Sequence, residues 1–182
     1  MRAGTGTAVA QPVPGIRGEL GARKFTPTDL PALQSYLESP IEPSLTDSLL
    51  SDAQSALFEG SLLRSVLELA IAAEVLVKRQ FFAEASPAGA AFDYLENRAR
   101  VSVRVLELLD SVAAEAYGRS YKKEEPGHYQ AIDNLFRCRN KIANRGLLAF
   151  RDDSGILVSV DASTVQAWRH AIDHLRKWLA SL

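Results

Sequence analysis

Residues 136–146 read "FRCRNKIANRG", and the fold turns on how this stretch is read. At about 100° per residue, Ile132, Leu135, Phe136, Ile142 and Ala143 share one face of a helix expected over 128–144. Gly146 is a natural C′ residue for that helix. Arg139 falls in the middle of the apolar face. A guanidinium buried alone there costs several kcal/mol. The spacing therefore predicts that Arg139 either extends its head to water or meets a paired, hydrogen-bonded setting. The opposite face carries Arg137, Asn140, Lys141, Asn144 and Arg145. Arg137, Lys141 and Arg145 step by four residues into a basic stripe near the helix C-terminus, where cations also suit the helix dipole. On spacing alone, the stripe equally fits a solvated face, and Arg139 fits a snorkelling side chain.

The neighbouring segments are helical as well. On the N-terminal side, "TPTDLPALQSYLES" is expected to form a short helix with Thr28 as N-cap, ended by "PIEP". A second helix starts near Ser44, with Leu45, Leu49, Ala53, Ala56 and Leu57 at steps of three and four. Gly60 marks a turn. A third helix, from about Ser61 to Phe82, carries Leu62, Val66, Leu69, Ala70, Ala73 and Val77 on a face that Leu63, Leu67 and Leu76 widen. So broad an apolar face predicts a central helix. Residues 88–117 read as largely helical, despite a brief alternation at Val101, Val103 and Val105. "YGRSYKKEEPGHY" reads as a polar loop. Beyond Gly146, "LLAF-RDDSG-ILVSV" gives two short apolar runs around Asp, Ser and Gly, which is a hairpin signal. Asp161 or Ser163 then caps a last helix with Val165, Trp168, Ile172, Leu175, Leu179 and Leu182 on one side.

Composition bounds the function. The 182 residues carry 21 Lys and Arg against 22 Asp and Glu, for a formal net charge of −1. A chain so balanced is not a polycation that coats nucleic acid, so any contact with RNA rests on a local patch. Cys138 is the single cysteine, which excludes an intrachain disulfide and makes a reducing cytoplasm the expected compartment. Val66–Phe82, the most apolar stretch, is interrupted by Glu68, Glu74, Lys78 and Arg79 and is not expected to span a membrane. Residues 1–24, rich in Gly, Pro, Ala and Thr, read as a flexible tail without the apolar core of a signal peptide. Residues 25–182 read as a single helical domain.

The run "RNKIANRG" resembles the R-x-x-x-x-H signature of the HEPN superfamily, often written RN-x-x-A-H followed by a small residue. Arg139, Asn140, Ala143 and Gly146 match it. The setting is similar too: an earlier amphipathic helix with "AIAAEVLVKR", a late helix ending in the motif, then a hairpin and a Trp-containing last helix. The resemblance covers roughly residues 45–182. It implies an all-α, antiparallel helical bundle with a small β-hairpin before the C-terminal helix. It also implies a metal-independent endoribonuclease of the toxin–antitoxin or antiviral-defence class. Its site would be shared across a homodimer, no cofactor would be needed, and RNA and a neutralising or defence-system protein would be the partners. By that resemblance Arg139 holds the scissile phosphate, Asn140 belongs to the motif, and Arg137, Lys141 and Arg145 track the RNA backbone.

The motif departs from the pattern at its last position, where Asn144 stands in place of histidine. Imidazole titrates near neutral pH and moves protons, while guanidinium grips phosphate through two bonds. An amide hydrogen-bonds but carries no proton at neutral pH, so the chain as written is expected to be inactive or badly impaired. Two origins fit: a natural non-catalytic relative that binds RNA, a nucleotide or a protein, or a substitution introduced so that a toxic ribonuclease can be expressed. Among the other candidates, His170 and His174 have a metal-compatible spacing but lie off the apolar stripe and have no third ligand nearby, so a solvated face is expected. His128 lies about four turns from Asn144. Cys138 fits a small core residue better than a nucleophile. Glu74, inside an apolar stretch, calls for a cation, with Arg139 the first partner to check.

Overall fold

The computed structural model describes Pro31, Gln34, residues 43–82 and residues 104–182. The chain divides into two compact units, Met1–Glu42 and Pro43–Leu182. Of the first, only Pro31 and Gln34 are described, both helical. The expected Thr28 cap, the N-terminal tail and the Val101 and Val103 positions lie outside the described residues.

The second unit is mostly helical with one small antiparallel sheet. Helix α1 (Leu45–Phe58) opens on Ser44, whose hydroxyl accepts from the Asp47 amide and so caps an orphan donor. Gly60, at φ 77°, turns the chain into α2 (Leu62–Phe81). Helix α2 packs against α1 and against the two long helices that follow, which makes it the centre of the unit. Its alanines make this possible: Ala70, Ala72 and Ala73 are buried and let neighbouring backbones approach. The segment α3 (Val105–Glu107), a π-helical turn (Leu108–Val112) and α4 (Ala113–Tyr117) then run on continuously, with Val105 buried in helix. Gly118, at φ 69°, ends this run.

The polar loop expected over residues 117–129 is instead partly ordered as α5 (Tyr121–Glu124). Ser120 is the reason on the local scale, because its hydroxyl accepts from the Lys123 amide. Tyr121 is the reason on the tertiary scale. Its ring is fully buried against Trp178, at 5.1 Å between centroids, and this contact holds the turn in place. Helix α6 (Pro126–Arg145) starts two residues earlier than the sequence suggests, with proline in its first turn, where a missing N–H costs nothing. Strands β1 (Ala149–Arg151) and β2 (Leu157–Ser159) form the expected hairpin, with Phe150 opposite Val158. Asp161 caps α7 (Ala162–Leu179), accepting from the Thr164 amide at 2.8 Å. Val165, Trp168, Ile172, Leu175 and Leu179 are buried as the stripe predicts, joined by Ala171 and Trp178. No helix among the described residues is long and apolar enough to cross a membrane.

Candidate functional site

The buried face of α6 consists of Ile132, Leu135, Cys138 and Ile142. It is rotated from the expected face: Cys138 lies on it with no exposed surface, Phe136 is half-buried, and Ala143 is exposed. The hairpin causes the rotation. Strand β1 packs on α6, so the helix needs a small side chain where the strand passes. Burial pushes the Cys138 thiol up to about 11 and leaves it a packing residue with negligible thiolate at neutral pH.

Arg139 therefore flanks the buried face, and both outcomes foreseen for it occur together. Its side chain remains 40% exposed, and its guanidinium stands 4.0 Å from the Glu74 carboxylate on α2. Glu74 holds Lys78 closer, at 2.9 Å, so its charge is shared and Arg139 is only loosely countered. The other edge of the guanidinium donates to Asn140 Oδ1 at 3.1 Å. Asn140 and Asn144 are four residues apart and so neighbours on the helix surface. Both are exposed. Arg139, Asn140 and Asn144 thus form one accessible arc around the last turns of α6, with the Asn140 amide between the cation and the final asparagine. Gly146, at φ 65°, closes the helix, its amide donating to Ile142 O at 2.8 Å. That left-handed conformation suits glycine, which carries no Cβ to strain it.

The basic stripe divides into two parts. Arg137 pairs with Asp133 at 2.5 Å and Asp153 at 2.9 Å, and donates to Arg151 O at 3.1 Å. It ties α6 to the hairpin, and its charge is balanced locally. Lys141 and Arg145 form no ion pair among the described residues, and Arg145 is exposed. These two are the cations available to a ligand beside Arg139.

The histidines are placed away from this arc. His128 is at the opposite end of α6, about 24 Å along the axis from Asn144 by the helical rise. Its ring stacks on His174 of α7, at 3.9 Å between centroids, and its Nδ1 lies 3.1 Å from Glu125. No local spacing signals this pairing, because the two residues are on different helices. His170 is exposed. Among the described residues, no group of three or more His, Cys, Asp or Glu side chains is arranged to hold a metal ion. Asp133 and Asp153, the partners of Arg137, were not singled out by the sequence. Asp133 sits one helical turn before Arg137, an i,i+4 spacing that signals the pair. Asp153 becomes a partner only through the hairpin.

Comparison with protein-family models, with curated proteins and with solved structures gives no match for this chain.

Proposed function

We propose that this chain is a HEPN-like RNA-binding domain built on an endoribonuclease scaffold, with the Arg139–Asn140–Asn144 arc as its site and asparagine in the proton-transfer position. The observation that carries the reading is a motif arginine that stays 40% exposed on the buried side of its helix, with one edge on Asn140 and only a distant carboxylate opposite. A cation so weakly countered suits a phosphate. Arg139 grips the phosphate, Asn140 and Asn144 hydrogen-bond to its oxygens or to the ribose, and Lys141 and Arg145 hold the flanking backbone. Lacking imidazole at position 144, the site binds RNA without cleaving it efficiently. The scaffold belongs to the toxin or antiviral-defence class by its motif, with a protein partner that covers or delivers it.

RNA binding is tested by a salt titration with single-stranded RNA. Each phosphate contact contributes roughly 0.7 to the log–log slope on single strands. Replacing Lys141 and Arg145 together by alanine should weaken binding and flatten the slope by about 1.4. Unchanged affinity and slope would reduce the stripe to a solvated face. A homodimer that brings two motif helices together completes the proposed site. Light scattering at micromolar concentration should give twice the chain mass, and a strict monomer would remove the shared-site argument. The second reading, a non-catalytic module for RNA binding or dimerisation, is favoured by Asn144 itself. It differs from the first in one outcome: histidine at position 144 would give no cleavage.

A further inference from the structure

An open cleft of about 260 Å³ lies between the start of α1, the end of α2 and the last turns of α7, away from the Arg139 arc. Thr46, Asp47, Arg79 and Arg176 contribute to its wall. Thr46 is only 4% exposed, yet it lines the cleft and has no hydrogen-bond partner among the described residues. Its hydroxyl therefore keeps donor and acceptor capacity at the cleft wall. Arg79 is exposed and has no counter-ion among the described residues. The α1 N-terminus faces the same space. Ser44 satisfies the Asp47 amide at 3.2 Å, while the Leu45 and Thr46 amides find no acceptor among the described residues. Helix N-termini of this kind favour anions.

The one carboxylate in the cleft is already engaged. Asp47 accepts from Ser44 Oγ and from Arg176 Nη2, both at 2.6 Å. The two guanidiniums therefore outweigh it, and the excess charge sits on Arg79. Each Asp47 oxygen keeps lone-pair capacity for one more donor, such as a hydroxyl.

We propose that this cleft binds a phosphorylated, hydroxyl-bearing small molecule, a sugar phosphate or mononucleotide. Its phosphate lies between Arg79, the Thr46 hydroxyl and the α1 N-terminus, and one of its hydroxyls donates to Asp47. The site uses none of the residues of the RNA arc and stands or falls separately from it.

The test is calorimetric titration of the full chain with ribose 5-phosphate, with inorganic phosphate and free ribose as comparators. Ribose 5-phosphate should bind, inorganic phosphate more weakly, and ribose not at all. Arg79→Gln should weaken ribose 5-phosphate binding by about tenfold or more, as expected for losing a charge-assisted pair. Thr46→Val, which keeps the side-chain shape, should weaken it by roughly threefold or more. Arg79 is exposed, so its variant should fold like the parent, and that variant decides if Thr46→Val does not fold. Absence of binding to ribose 5-phosphate at millimolar concentration, or unchanged affinity in Arg79→Gln, overturns the proposal. Equal affinity for inorganic phosphate and ribose 5-phosphate overturns the role given to Asp47.

Discussion

Asp161 stands at the start of α7, and its carboxylate oxygen accepts from the Thr164 hydroxyl, the Thr164 amide and the Ser163 hydroxyl, within 2.7–2.8 Å. These bonds hold its carboxyl down to about 2, with the Thr164 hydroxyl the largest cause. An unfolded aspartate titrates near 3.9. The folded value is the lower one, so the capping contribution is complete above about pH 5 and is lost as pH falls from about 4 toward 2. Asp161→Ala should lower the melting temperature at neutral pH, and its deficit against the parent should shrink steadily on acidification. A deficit unchanged between pH 6 and 2.5 would contradict that account. The same reasoning at single-residue scale separates Asn144 from histidine. An amide can fill the space and donate a hydrogen bond, but no shift of environment gives it a titration near neutral pH.

At the scale of elements, Arg137 links α6 to the β-hairpin through Asp133, Asp153 and Arg151 O. Arg137→Ala should therefore speed amide exchange across residues 149–159 by roughly tenfold, the loss of about 1.4 kcal/mol of local opening energy in a partly exposed pair with a carbonyl bond added. It should leave the salt slope of RNA binding nearly unchanged. A large fall in that slope with no change in exchange would restore Arg137 to the phosphate-tracking set. Several element ends were legible because they rest on nearest neighbours. Ser44 and Asp161 cap by side-chain reach, Gly146 closes by its φ of 65°, and the Asp-Ser-Gly run turns the hairpin. What stayed hidden depends on residues far along the chain. The α5 turn exists because Tyr121 packs on Trp178, and the buried face of α6 includes Cys138 because β1 crosses there. Neither partner is visible to a periodicity counted within one helix.

At the scale of the whole molecule, α2 organises the described part of the second unit, packing on α1, α6 and α7. It supplies Glu74 to the Arg139 side of the fold and Arg79 to the cleft near Ser44. One central helix thus borders two cationic surfaces on a chain whose formal net charge is only −1. Local patches, and not bulk charge, are what such a molecule offers to phosphate groups. The residues proposed as the site can be named one by one from the sequence. That Arg139 remains reachable, and that Arg137 does not stay free, depends on how α2 and the hairpin meet α6. The measurement that bears most directly on the central reading is cleavage of single-stranded RNA by Asn144→His in the presence of a chelator, beside the parent chain and the Arg139→Ala, Asn144→His double variant. Restoring a proton-transfer group should raise the rate by about 10²–10⁴ over the parent, and removing Arg139 in that background should abolish the gain. Cleavage by the parent at the rate of Asn144→His, or no cleavage by Asn144→His on any RNA tried, would contradict the account.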